Sequence, residues 1–104
     1  MGDEYNSPVM ELCKRAQGNL TTIYWCKAQI RVQLMIIRKL VSRLATLEDN
    51  ESRTVVREKI NKHVAKCTEF GDKIKTEIMD LEAVRLEAKR LGIDIKTKLI
   101  NDEN

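Results

Sequence analysis

Hydrophobic residues return at seven-residue intervals along most of this chain. The first row consists of Ile23, Ile30, Ile37 and Leu44. A companion row beside it consists of Cys26, Leu34, Leu40, Val41 and Leu47. Seven residues make about two turns of an α-helix, so both rows lie on one helix face. The pattern predicts a long helix over residues 20–47 with an apolar arc of about 160°, wide enough to need at least two neighbouring helices.

The same repeat resumes after a polar interruption at residues 48–52, a segment rich in turn and capping residues. Its first row consists of Ile60, Cys67, Ile74, Leu81, Ala88 and Ile95. The companion row consists of Val56, Val64, Phe70, Ile78, Val84, Leu91 and Leu99. This pattern predicts a second long helix over residues 53–91. A short connection between two long helices favours antiparallel packing.

Local signals predict where the helices begin and end. Ser7-Pro8 is a helix start, because Ser caps a free backbone N–H and Pro needs none at the first helical position. Gly18-Asn19 favours a break, which leaves a short helix over residues 8–17. Gly92 is a C-terminal stop. The two long helices would span about 40 Å and 58 Å, and this mismatch also favours a third helix.

The predicted fold is therefore all-α: an antiparallel hairpin of long helices with a short N-terminal helix, three-helix-bundle or coiled-coil-like and able to dimerise. One Pro, four Gly and 4% aromatic residues agree with long helices and argue against sheets. We expect one helical domain over residues 8–91, with helices at 8–17, 20–47 and 53–91. Residues 1–7 are expected to be disordered, and residues 92–104 to form a tail.

Charge is unevenly distributed along the chain. The net charge is only +3, yet residues 12–47 carry seven bases and no acid. Five of these bases, on the second predicted helix, are Lys27, Arg31, Arg38, Lys39 and Arg43. Three apolar residues, Trp25, Val32 and Met35, lie among them, outside the apolar arc. We predict that these eight residues bind a partner: another protein helix, acidic in charge, or a second copy of the chain.

Residues that could support catalysis or metal binding are few. The single histidine, His63, has only Cys67 as a potential ligand or nucleophile one helical turn away. The three cysteines, Cys13, Cys26 and Cys67, show no paired zinc-ligand spacing. We therefore expect no catalytic, cofactor or metal site, no small-molecule substrate and no enzymatic activity. An odd cysteine count without a secretory signal favours an intracellular, cytoplasmic location.

Other interpretations of the same residues stay open at this point. The bases could form a solvated face, pair with acids of a neighbouring helix, or contact nucleic acid or an anionic membrane. From Ile60 to Glu82, the spacing of Ile60, Val64, Cys67, Gly71, Ile74, Ile78 and Leu81-Glu82 is similar to the second helix of the regulatory N-terminal three-helix domain of syntaxin-type SNARE proteins. That resemblance implies a vesicle-trafficking regulator whose helices bind a SNARE helix or an accessory factor.

Overall fold

The protein is a hairpin of two long helices in a computed structural model that describes residues 7–93. Helix α1 covers Pro8–Thr46 and α2 covers Asn50–Arg90, with 39 and 41 residues. Residues 47–49 connect them, and the described part of the chain contains no strand. The prediction of an all-α helical hairpin is confirmed. Of the predicted disordered start only Ser7 is described, and Ile95 and Leu99 of the second pattern lie outside the described residues.

Helix α1 begins where the sequence predicts. The Oγ of Ser7 accepts a hydrogen bond from the Met10 N–H at 3.3 Å, and the Ser7 carbonyl accepts one from the Glu11 N–H at 3.2 Å. Pro8 occupies the first helical position, where its missing N–H has no intrahelical partner to lose. Ser7 is therefore the N-cap of α1.

The predicted break at Gly18-Asn19 is wrong, because α1 runs through it without interruption. Asn19 does not cap a new helix. Its amide nitrogen instead donates hydrogen bonds to the carboxylates of Glu77, at 3.2 Å, and Asp80, at 3.0 Å, on α2. The predicted helices 8–17 and 20–47 are consequently one element. With α1 and α2 almost equal in length, the mismatch that favoured a third helix disappears.

The turn between the helices is shorter than the five polar residues predicted, and α2 begins at Asn50 rather than at residue 53. Asp49 caps it: its Oδ2 accepts the Ser52 N–H at 2.9 Å, and this bond holds the pKa of Asp49 below its ordinary value. Arg53 donates to the carbonyls of Leu44 and Leu47 at 2.8 and 3.0 Å. A cation there offsets the negative end of the α1 dipole.

Helix α2 ends at the predicted glycine. Gly92 has a φ of +81°, the left-handed conformation that glycine adopts without strain. The Ile93 N–H donates to the Ala88 carbonyl at 2.8 Å, and the Gly92 N–H donates to the Lys89 carbonyl at 3.0 Å. These two bonds form a Schellman motif and satisfy carbonyls at the end of the helix. The predicted stop is confirmed.

The hairpin divides into two compact units. The terminal unit, Met1–Tyr24 with Lys75–Asn104, has most of the buried residues: Leu12, Ala16, Asn19, Ile23, Leu81, Val84 and Ala88. The turn unit, Trp25–Ile74, buries only Cys26, Gln33 and Val56. Its other inward positions are half-buried: Ile30, Ile37, Leu40, Leu44, Ile60, His63, Cys67, Phe70 and Ile74. We call these inward positions of both units, together with the half-buried Glu77, the seam. Along each helix they follow one another in steps of three and four residues.

The seam differs from the predicted apolar rows on one side of each helix. Leu34 and Val41 were expected inside and are exposed, as are Val64, Ile78 and Leu91. Gln33 is buried in place of Leu34, and the half-buried His63 replaces Val64. The reason is that α1 in the turn unit has a single neighbouring helix, which covers one row of the wide apolar arc and leaves the adjacent row to solvent.

Candidate protein-binding surface

The predicted partner-binding residues do not form one face. On α1, three of the bases each follow a seam residue by one position: Lys27 follows Cys26, Arg31 follows Ile30 and Arg38 follows Ile37. Trp25, Lys39 and Arg43 turn toward the opposite side of the helix. At 100° per residue these two groups lie on the two flanks of the seam, and Val32 shares the side of Trp25. Met35 points away from the seam, on the outer face of α1.

Contacts with α2 show which of its residues share each flank. Arg43 and Lys59 line the same surface depression, together with Val55 and Val56. Trp25 contacts Phe70 with its ring centroid 5.5 Å away and the planes at 79°, an edge-to-face arrangement. Residues such as Lys59, which precede an α2 seam residue, therefore lie on the Trp25 side. Residues that follow one, such as Val64, lie on the other.

The first of these surfaces is the Leu34 flank. Its apolar residues are Leu34, Val41 and Val64, which are 44%, 50% and 46% exposed. Its basic residues are Lys27, Arg31, Arg38 and Arg57. None of the α1 and α2 positions that line this flank in the turn unit is Asp or Glu. Sequence reasoning missed Leu34, Val41 and Val64 as surface residues because their heptad spacing also fits a core.

The second surface is the lysine flank. Its bases are Lys39, Arg43, Lys59, Lys62, Lys66 and Lys73, and all six are exposed. Its exposed apolar residues are Trp25, Val32 and Val55. Four of the bases come from α2, which the sequence analysis did not consider as part of a binding site. Lysines spaced among other residues along one helix do not indicate a binding surface until the facing helix is known.

Polar residues of the seam pair across the two helices within each unit. In the turn unit, the Nδ1–H of His63 donates to Oε1 of the buried Gln33 at 2.5 Å. In the terminal unit, Asn19 binds Glu77 and Asp80, and Arg15 binds Asp80 at 2.6 Å. The Asn19 hydrogen bond and then the Arg15 contact lower the pKa of Asp80. His63 thus forms a hydrogen bond with an amide. The Arg15–Asp80 pair is a case in which a base of residues 12–47 pairs with an acid of the neighbouring helix.

The described residues give little basis for metal chemistry. Among them, no group of three or more His, Cys, Asp or Glu side chains is arranged to hold a metal ion. Cys26 is fully buried, Cys67 is half-buried in the seam and Cys13 is exposed, and all three are free thiols. Neither described helix has the length and apolar character that crossing a bilayer requires.

Comparison with known proteins gives no relatives. The chain matches no protein-family model, no curated protein and no solved structure. The interpretation of its surfaces accordingly depends on their residues alone.

Proposed function

We propose that this chain is a non-catalytic helical interaction module whose Leu34 flank binds an acidic amphipathic helix of another protein. The observation that supports the proposal is the exposure of Leu34, Val41 and Val64 in a surface lined by bases and by no acid. The three apolar side chains lie outside the seam, so they do not contribute to the core of the hairpin.

The apolar spacing of the flank suits a helix. Leu34 and Val41 are seven residues apart on α1, so they lie about two turns from each other on the same side. Val64 follows His63, the residue that bonds to Gln33, and Gln33 immediately precedes Leu34. Val64 and Leu34 therefore border the same stretch of the seam. A helix with apolar residues at heptad spacing would bury all three side chains in the groove between α1 and α2.

Charge determines which helix fits. Lys27, Arg31, Arg38 and Arg57 surround the apolar residues, so acids at the flanking positions of the incoming helix would face bases. The same flank of a second copy would bring bases against bases. This repulsion favours a foreign acidic helix over self-association through the Leu34 flank.

We further propose that the packing is of the coiled-coil type. The alternating steps of three and four residues along the seam support it. The partner would then add a third helix to the turn unit. It would cover the part of the wide apolar arc of α1 that α2 leaves exposed. The bound state would be a three-helix bundle.

A pair of designed peptides tests the proposal. The first is a synthetic helix of about four heptads, with Leu at the apolar positions and Glu beside them; the second has Lys in place of Glu. Fluorescence anisotropy of the labelled peptides against the whole chain gives both affinities. We expect the acidic peptide to bind and the basic one to bind at least about tenfold more weakly.

Variants assign the binding to the flank. Leu34→Asp should lower the affinity for the acidic peptide by about tenfold or more. Val32→Asp places the same charge on the other flank of α1 and should leave this affinity unchanged. The triple variant Lys27→Glu, Arg31→Glu, Arg38→Glu should reverse the preference and bind the basic peptide. Equal affinity for the two peptides, or no effect of Leu34→Asp, would refute the proposal.

A further inference from the structure

We infer that the lysine flank of the turn unit docks on the surface of an anionic lipid bilayer. This inference does not depend on the Leu34 flank, since it uses different side chains on the opposite side of the seam. It starts from the combination of positive charge and exposed apolar side chains on one surface. Peripheral proteins attach to bilayers through this combination, in which bases face lipid phosphates and apolar tips enter the interface.

The charge of this flank comes from both helices. Lys39 and Arg43 belong to α1, and the other four bases belong to α2. Among the α2 positions that precede a seam residue in the turn unit, Glu69 is the one acid. The flank therefore has six bases and one acid. Each base near an anionic membrane adds a similar increment of attraction, and the increments accumulate. Six bases on one surface give a strong attraction that salt screens.

The apolar residues of the flank have the character of an interfacial anchor. Trp25 is 51% exposed, and its contact with Phe70 fixes the ring while leaving about half of the side chain accessible. Tryptophan favours the boundary between lipid headgroups and hydrocarbon, because its ring is apolar and its N–H is polar. Val32 and Val55 are exposed on the same flank, one from each helix.

The side-chain chemistry favours a bilayer over nucleic acid. Five of the six bases are lysines, which act as point charges, whereas nucleic-acid recognition makes frequent use of the bidentate arginine fork. Single-strand binding also needs several aromatic rings on which successive bases stack. On this flank the exposed aromatic ring is that of Trp25, and the ring of Phe70 already contacts it. Two exposed valines have no role against phosphates, yet they suit a lipid interface.

Vesicle binding provides the test, with the single tryptophan of the chain as a local probe. Sedimentation would compare the whole chain with vesicles of phosphatidylcholine alone and of phosphatidylcholine mixed with phosphatidylserine. We expect binding to the mixed vesicles only, with a loss of affinity at high salt. The emission of Trp25 should shift to shorter wavelength, and lipids brominated near the headgroup should quench it.

A matched pair of charge reversals locates the surface. Lys59→Glu, Lys66→Glu, Lys73→Glu should lower affinity for the mixed vesicles by about 100-fold or more. Lys27→Glu, Arg31→Glu, Arg38→Glu changes the net charge equally on the Leu34 flank and should retain most of the binding and the Trp25 shift. Circular dichroism verifies that both variants stay helical. The peptide assay tests the Leu34 flank separately, so neither vesicle result bears on that proposal.

Three outcomes would overturn the inference. The first is equal loss of vesicle binding in the two triple variants, which would mean that net charge alone is responsible. The second is vesicle binding without a shift or quenching of Trp25. The third is tighter binding to a mixed-sequence DNA or RNA oligonucleotide than to the mixed vesicles at the same salt concentration, which would assign the flank to nucleic acid.

Discussion

Asn19 is a buried polar residue that links α1 to α2 in the terminal unit. Its amide nitrogen donates to Glu77 and Asp80, and Arg15 adds an ion pair to Asp80. Its Oδ1 is buried and has no hydrogen-bond partner. An unsatisfied buried acceptor costs about 1–3 kcal/mol. The bonds to Glu77 and Asp80 satisfy the amide nitrogen, so Asn19 favours the pairing in which these two acids lie opposite it.

The two glycines at which the sequence predicts a helix to end have opposite roles, and substitution by alanine should separate them. Gly18→Ala should raise the free energy of unfolding by about 0.5–1 kcal/mol, because the added methyl group meets no atom within 4 Å beyond the nearby backbone of its own helix and alanine favours the helix. Gly92→Ala should lower it by about 1 kcal/mol, because φ is +81°.

Urea unfolding of the two variants measures both effects. If Gly18→Ala destabilised the chain, a kink or break in α1 at this position would be indicated, and the continuous helix would be wrong. A neutral Gly92→Ala would mean that α2 does not end in the left-handed conformation.

Among the secondary-structure elements, the heptad rows identify both helices, and the short connection between them indicates the antiparallel pairing. They do not identify which of two adjacent apolar rows is covered. Leu34 and Val64 fit a core as well as Ile37 and Ile60 do by spacing and chemistry. The covered row also contains Gln33 and His63. Because both are polar, hydrophobicity alone predicts that neither belongs to a core. Only the facing helix shows that these two polar residues satisfy each other.

A double-mutant cycle tests this polar pair. His63→Leu alone should lower the free energy of unfolding by about 1–3 kcal/mol, because it leaves the buried Gln33 amide without its partner. Adding Gln33→Leu should recover most of this loss, since two leucines make an apolar layer. Thermal or urea unfolding gives the coupling. Additive losses in the two single variants and the double variant would show that the pair does not interact.

For the molecule as a whole, the sequence identifies the bases of α1 but not how the hairpin distributes them over its surfaces. Residues 12–47 identify the bases of α1 because no acid interrupts them. The pattern of one helix contains no information about its neighbour, so the contributions of Arg57 to the Leu34 flank and of Lys59, Lys66 and Lys73 to the lysine flank are visible only in the hairpin. The predicted single site is two surfaces, each made by both helices.

We propose a separate partner for each of the two flanks of the turn unit. The Leu34 flank has exposed apolar residues at heptad spacing, and the lysine flank has a larger charge with a tryptophan anchor. A helical module that binds a protein on one side and a lipid surface on the other would bring that protein to the membrane. Testing each flank with the other one mutated shows whether the two activities are independent.

Light scattering of the whole chain tests whether the Leu34 flank is an open site for a foreign acidic helix. Alone, the chain should have the mass of one copy, 12.0 kDa, because bases on this flank repel a second copy. With excess acidic peptide, the mass should increase by that of one peptide. The account is contradicted if the chain alone has twice the mass of one copy and Leu34→Asp returns it to a single copy, because the flank would then be closed by self-association.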